Sequence, residues 1–148
     1  MRSPSSTPEP KESCTSHWGT ASTMFQVGTA IEFPAKHIMP GMEGPEGELH
    51  EHHYRLEVLL ERAALDDQGM VCDLDHLDAV LQRIDGTLRD QNLEIIQPPE
   101  AEAVTVEVFA QWAHRTIGDE LRDTGVDTVS VRIYENADAF GGFSGPIA

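Results

Sequence analysis

Two segments near the start of the chain alternate apolar and polar residues with a period of two. In residues 25–37 the apolar register leads to His37, and in residues 50–60 it begins at His50. Alternation of this kind predicts β-strands with one buried face. The positions expected on the two buried faces are Phe25, Val27, Ile31, Phe33, Ala35, Tyr54, Leu56, Val58 and Leu60.

Two amphipathic helices are predicted after these strands. Asp73 and Thr105 are typical N-cap residues, and apolar residues follow each of them at spacings of three and four. The polar stretch from Arg89 to Ala103, with two prolines, predicts a long loop between the helices. The helical apolar positions are Leu74, Leu77, Leu81, Ile84 and Leu88, then Val106, Phe109, Ala110, Ala113, Ile117 and Leu121.

The end of the chain returns to the strand pattern. Val129, Val131 and Ile133 alternate with polar residues, and residues 137–143 predict a short fourth strand. The order strand, strand, helix, helix, strand, strand indicates an α+β fold, with a four-stranded antiparallel sheet covered on one face by two helices. Such a sheet has two free edges, which oligomerisation can cover.

Composition narrows the possible partners and compartment. The 148 residues predict one domain, and the net charge of −16 argues against nucleic acid and anionic membranes as partners. No apolar run approaches the roughly 20 residues that span a bilayer. With only two cysteines, Cys14 and Cys72, the cytoplasm is the expected location. Residues 1–23 are rich in Ser, Thr and Pro and predict a mobile extension, followed by a single domain over residues 24–148.

Three histidines lie at the ends of the first two predicted strands. His50 and His52 project from the same strand face, about 6.6 Å apart, and His37 ends the buried face of the other strand. If the strands pair, three imidazoles converge, as in a catalytic zinc site with an open fourth position. The alternative is that these histidines are structural side chains, hydrogen-bonded at the edge of a core.

The third strand ends with a carboxylate on its inward face. Glu135 follows Ile133 in the buried register, and a buried charge is costly unless it is paired. Glu135 therefore needs a cation, a ligand rich in hydrogen-bond donors, or a raised pKa. The structural alternative is a salt bridge to Arg132 or Arg115.

Several short motifs, in order, resemble the 6-pyruvoyl-tetrahydropterin synthase and 6-carboxy-tetrahydropterin synthase family. The resemblance runs from Phe25 to about Phe140 and implies a tunnelling fold (T-fold), in which trimers close a β-barrel and two trimers form a hexamer. It also implies an active site between subunits. The motifs are Phe33-x-Ala35-x-His37, His50-x-His52-x-Tyr54, Gly69-Met70-Val71-x-Asp73 and Glu135.

The resemblance also implies roles for individual residues. The zinc ligands of the family match His37, His50 and His52, and the carboxylate that anchors the pterin ring matches Glu135. A carboxylate can accept hydrogen bonds from the ring N–H and the amino group of a pterin together. Thr105 and Glu107 match a Pro-Thr-x-Glu segment and are expected to contribute to substrate binding.

Departures from the family pattern fall on its proton-transfer residues. Glu46 stands where the family has a catalytic cysteine, and Arg89 and Asp90 stand where it has an aspartate and a histidine. The parent synthase reaction is therefore not expected. Arg89 changes the local charge and would favour a carboxylate or phosphate on the ligand.

Three functions are compatible with these residues. The first is a zinc-dependent lyase or aldolase that cleaves the side chain of dihydroneopterin or its phosphate, with Glu46 as the base. The second is a pterin-binding homologue that has lost the reaction, with an incomplete or vacant metal site. The third is a metal-binding structural or assembly protein. For Glu46, the alternative is that it belongs with Glu43 and Glu48 to a solvated acidic loop.

Overall fold

The computed structural model describes residues 23–147, which form one sheet and two helices in the predicted order. Two short 3₁₀ helices, Pro45–Gly47 and Leu93–Ile96, lie in the connections. The main elements are β1 (Phe25–His37), β2 (His50–Arg62), α1 (Leu74–Leu88), α2 (Val106–Glu120), β3 (Thr128–Tyr134) and β4 (Phe140–Pro146).

The four strands form the expected antiparallel sheet, and their order in it is β1-β2-β3-β4. In the pairing of β1 with β2, His37 lies opposite His50 and Ala35 lies opposite His52. Because directly opposed residues of an antiparallel pair project to the same face, this register brings the ends of both strands to one place. The long β1 and β2 strands thus carry all three histidines to one end of the sheet.

Both helices begin at the predicted caps and cover one face of the sheet. The Asp73 side chain accepts a hydrogen bond from the Asp75 backbone N–H at 2.9 Å, and the Thr105 hydroxyl accepts one from Val108 N–H at 3.2 Å. These bonds satisfy donors that the first turn of a helix leaves free. Helix α1 contacts β1, whereas α2 contacts β3 and β4.

The core lies between the helices and the covered face of the sheet. The residues predicted to face inward from β2 and β3 are buried there, together with most of the apolar residues of both helices. Phe25 and Leu74 are exceptions among the predicted apolar positions, since they are 49% and 43% exposed. The largest fully buried side chains are Phe33, Tyr54, Leu56, Leu60, Leu77, Leu81, Ile84, Leu88, Leu93, Phe109, Ile117 and Leu121.

Two local predictions were wrong. The fourth strand spans Phe140–Pro146 rather than residues 137–143, because the Asn136 side chain accepts hydrogen bonds from Asp138 N–H (2.9 Å) and Ala139 N–H (2.8 Å) and holds a turn there. The segment between the helices is not only a polar loop. Its Leu93–Ile96 turn buries Leu93 completely.

The extension predicted for residues 1–23 lies, apart from Thr23, outside the described residues. Within residues 23–147, no helix is long and apolar enough to cross a membrane.

Candidate functional site

The three predicted histidines meet at the end of the β1–β2 pair. The ring centroids of His37 and His50 are 4.4 Å apart, those of His37 and His52 are 4.9 Å apart, and those of His50 and His52 are 4.7 Å apart. The arrangement follows from the strand register, since His37 and His50 are direct partners and His52 is the next residue on the same face. The predicted convergence of the imidazoles is therefore present in the fold.

Glu46 joins the histidine cluster from the loop between the strands. It lies in the 3₁₀ helix Pro45–Gly47, and its Oε2 is 3.2 Å from His50 Nε2. One ligand atom from each of His37, Glu46, His50 and His52 can be chosen such that all four lie within 4.8 Å of one another. Glu46 is thus part of the cluster and not merely one of a run of solvated acidic residues.

The hydrogen bonds of His50 indicate which nitrogen carries its proton. Nδ1 lies 2.7 Å from the backbone carbonyl oxygen of Glu48, and a carbonyl can only accept. Nδ1 is therefore the protonated nitrogen of the neutral ring, and Nε2 presents its lone pair. That lone pair faces His52 Nε2 at 3.0 Å and Glu46.

His37 is the most enclosed member of the cluster. It is 6% exposed, and neither ring nitrogen has a hydrogen-bond partner among the described residues. Burial lowers its pKa, because desolvation disfavours the charged imidazole, and the neighbouring His50 and His52 lower it further, whereas the Val104 backbone and the charge of Glu135 act in the opposite direction. A buried polar group without a partner is unusual in a folded protein. A neutral ring, with a free lone pair on one nitrogen, is however the form that binds a metal.

The donor set fits a zinc ion. Zinc bonds of about 2.0–2.2 Å to nitrogen and oxygen place tetrahedral ligand atoms about 3.3–3.6 Å from each other. The ligand atoms of the four groups lie within 4.8 Å of one another, so the more distant of them would have to move closer to hold such an ion. A bound cation would give a partner to one nitrogen of His37, a ring whose two nitrogens have no hydrogen-bond partner among residues 23–147.

Tyr54 forms the floor beneath the histidines. It is buried, and its ring centroid lies 6.3 Å from that of His37 and 5.7 Å from that of His52. Burial raises its pKa well above the ordinary value, and the charges of Glu135 and Glu46 raise it further. The phenol therefore stays neutral at physiological pH. The sequence placed Tyr54 in the core, and its spacing of two from His52 was the available signal for a place beside the site.

Glu135 lies at the same end of the sheet as the histidine cluster. It is the first residue after β3, it is partly buried, and its backbone N–H donates to the Ala139 carbonyl at 3.2 Å. Among the described residues it forms no salt bridge, whereas Arg132 instead lies over the Phe140 ring. The charge of Glu135 raises the pKa of both His37 and Tyr54. The predicted alternative, a salt bridge from Glu135 to Arg132 or Arg115, is not formed among the described residues.

Thr105 and Glu107 lie at the start of α2, where the backbone of Val104 lies near the His37 ring. The Thr105 hydroxyl caps the helix. The exposed Glu107 carboxylate lies against β4, with Oε1 3.2 Å from the position that a Cβ on Gly141 would occupy. The Thr105 hydroxyl thus has a structural role as a cap, whereas the Glu107 carboxylate forms no salt bridge among residues 23–147.

Arg89 and Asp90 lie outside the histidine cluster. The Arg89 guanidinium binds both oxygens of Asp85, at 2.7 and 3.1 Å, and a third contact reaches the Glu32 carbonyl at 3.4 Å. Asp90 is exposed, with a left-handed φ of 61°, and its N–H donates to the Pro34 carbonyl at 2.8 Å. Both residues therefore hold the end of α1 against β1.

Comparison with known proteins identifies the family of the chain. The family model described as 6-pyruvoyl tetrahydropterin synthase matches residues 26–145. A protein of Pyrococcus horikoshii named "Putative 6-carboxy-5,6,7,8-tetrahydropterin synthase" is 25% identical over 128 residues, which cover 71% of this chain and 80% of that protein.

Solved structures show the same architecture. The 6-pyruvoyl tetrahydropterin synthase of Plasmodium falciparum superposes with a TM-score of 0.69 at 13% identity, over 84% of this chain and 99% of the other. The 6-pyruvoyl tetrahydropterin synthase of Caenorhabditis elegans superposes with a TM-score of 0.64 at 19% identity, over 83% of this chain and 96% of the other. The fold is thus the T-fold, and the match over residues 26–145 shows that the chain belongs to the 6-pyruvoyl tetrahydropterin synthase family.

Proposed function

We propose that this protein binds a reduced pterin and cleaves its side chain with zinc held by His37, His50 and His52. The observation that carries the proposal is the convergence of the three imidazoles around the buried His37, whose nitrogens have no protein partner in the described region. Family membership supports the pterin, and the donor set supports the metal.

Recognition of the pterin ring is assigned to Glu135. Its carboxylate has no cationic partner in residues 23–147 and lies at the same end of the sheet as the histidines. A carboxylate accepts two parallel hydrogen bonds from a ring N–H and an adjacent amino group, as it does from a guanidinium. Thr105 and Glu107, at the nearby start of α2, are proposed to contact the same ligand.

Proton transfer is assigned to Glu46. Zinc supplies Lewis acidity that makes vicinal hydroxyl groups of a pterin side chain easier to deprotonate. Glu46, beside His50, takes the proton of one hydroxyl. The adjacent carbon–carbon bond then breaks, an aldehyde leaves, and the carbon that stays on the ring takes the proton back from Glu46. The products are the aldehyde and 6-hydroxymethyl-dihydropterin.

A glutamate also has a catalytic role elsewhere in this family. The Plasmodium vivax 6-pyruvoyltetrahydropterin synthase was solved with a glutamate, described as a catalytic residue, replaced by alanine. This supports a carboxylate as the reactive group of Glu46.

A second candidate, pterin binding without turnover, is favoured by one specific observation. Arg89 and Asp90 occupy the positions of the proton relay that the family resemblance implies, yet the former pairs with Asp85 and the latter is exposed. In the described region, Glu46 is then the only acid–base side chain besides the histidines in the cluster. A site with the ring anchor but no relay would bind pterins without cleaving them.

Metal analysis combined with titration and product analysis tests the proposal. The purified full chain is expected to hold stoichiometric zinc, to bind 7,8-dihydroneopterin and to release an aldehyde from it. Pterin binding without an aldehyde would support the second candidate. Zinc without binding of any pterin would reject both candidates and leave a metal-binding structural protein.

The assembly is expected to be a hexamer, formed as a dimer of trimers. β1 and β4 are the outer strands of the sheet, and Phe25 and Phe140 lie exposed on them. Light scattering coupled to size-exclusion chromatography measures the assembly mass directly. A monomer at micromolar concentration would contradict this part of the proposal.

A further inference from the structure

We infer that Glu46 is a fourth zinc ligand in the resting protein and leaves the metal when the hydroxyl groups of a substrate arrive. The inference rests on the proposed metal site and assigns Glu46 a second role beyond that of base. The site would then alternate between a closed set of four protein ligands and an open set of three histidines.

The position of the carboxylate is compatible with a ligand role. Glu46 Oε2 is 3.2 Å from His50 Nε2, a separation that a hydrogen bond has and that two ligand atoms on one tetrahedral zinc ion also have. Its carboxylate belongs to the group of four whose ligand atoms lie within 4.8 Å. Within residues 23–147, no lysine or arginine forms a salt bridge with Glu46. No cationic side chain in that region therefore competes with the metal for its carboxylate.

The loop backbone holds Glu46 in place. The Glu46 carbonyl accepts a hydrogen bond from Met39 N–H at 2.9 Å. Gly47 packs so tightly that a Cβ there would lie 2.0 Å from the Met42 carbonyl oxygen. Gly44 has a φ of 79°, in the left-handed region that glycine favours. These contacts fix the backbone of the 3₁₀ turn and leave movement to the side chain.

The Glu46 side chain has room to move. It is 52% exposed, whereas the His50 side chain beside it is 19% exposed. A rotation of its χ angles can move the carboxylate off the metal without any change in the loop. The displaced carboxylate would then lie next to the hydroxyl groups that replaced it, where a base is needed. One side chain thereby closes the resting site and accepts the proton once the substrate is bound.

Zinc affinity and cobalt spectroscopy test this inference. Zinc affinity is measured by competition with a chelator in the wild type, in Glu46→Ala and Glu46→Gln, and in the control Glu43→Gln, which removes an exposed charge from the same loop. We expect Glu46→Ala to bind zinc at least tenfold more weakly and Glu46→Gln to fall between it and the wild type, because an amide oxygen is a weaker ligand. The zinc affinity of the control Glu43→Gln should equal that of the wild type.

The visible spectrum of the cobalt-substituted protein reports the ligand set without activity. In the wild type the spectrum is expected to change when neopterin binds, and the ligand-free spectrum of Glu46→Ala should already differ from that of the wild type. Equal zinc affinity in all variants, or identical ligand-free cobalt spectra, would overturn the inference. These results do not depend on pterin turnover. A protein that binds zinc through Glu46 but no pterin would reject the proposed function alone.

Discussion

Replacing the proposed ring anchor, Glu135→Gln, should weaken pterin binding by roughly 30- to 160-fold. Hydrogen bonds to a charged group contribute about 1.5–3 kcal/mol each. The amide keeps one acceptor oxygen but turns an N–H donor toward a ligand donor. Because Glu135 is only partly buried, solvent screens part of the effect, and we expect a net loss of about 2–3 kcal/mol. The fold should not change, since Glu135 forms no salt bridge to residues 23–147.

Calorimetric titration with neopterin measures this loss, with zinc content and thermal unfolding as checks on the site and the fold. Asp138→Asn is the matched control, because it removes the same charge from an exposed position of the same hairpin. The control should bind neopterin as the wild type does. If Glu135→Gln kept its affinity within about threefold, or if both variants lost affinity equally, the assignment of Glu135 as the ring anchor would be wrong.

Three further predictions concern stability and selectivity. Leu93→Ala should lower the free energy of unfolding by about 2–5 kcal/mol in urea titrations, because Leu93 is fully buried; a loss below 1 kcal/mol would contradict its place in the core. The raised pKa of Tyr54 means that the folded state keeps this proton above about pH 10 while the unfolded chain loses it, so stability falls as pH rises. Urea unfolding between pH 8 and 11 should therefore show a steeper loss in the wild type than in Tyr54→Phe, and equal slopes would refute this. Arg89→Ala should leave the ratio of affinities for neopterin and its phosphates unchanged, because Asp85 already binds the guanidinium; a changed ratio in parallel titrations would place Arg89 in the ligand site.

Local patterns were sufficient for most of the fold. Alternation in β1 and β2, the caps at Asp73 and Thr105, and the helical spacing of apolar residues each follow from backbone geometry within a few residues. The shift of β4 was not predictable in this way. It depends on how the Asn136 side chain closes the turn before the strand. The burial of Leu93 depends on a packing partner distant in sequence, since the segment around it lies beside β1.

In the candidate site, too, some residues were predictable from local sequence patterns and others were not. The spacing of His50 and His52 and the inward register of Glu135 indicated candidate ligands, because the period of a strand fixes which side chains share a face. The sequence did not decide whether Glu46 lies at the site, since a glutamate in an acidic loop can equally face solvent. Its contact with His50 exists only because the loop folds back over the strand end. Likewise, Arg89 looked available for a ligand until its bidentate contact with Asp85 was known.

The sequence by itself thus determined the order of elements, the buried faces and the three histidines that can converge, because these depend on local periodicity and on the pairing of neighbouring strands. Only the tertiary structure decided which charged groups reach the histidines. Glu46 lies at the cluster and Arg89 does not, and these positions depend on loop closure and on contacts outside the local strand pattern. Such contacts are set by the packing of the whole chain and leave no periodic signal in its sequence.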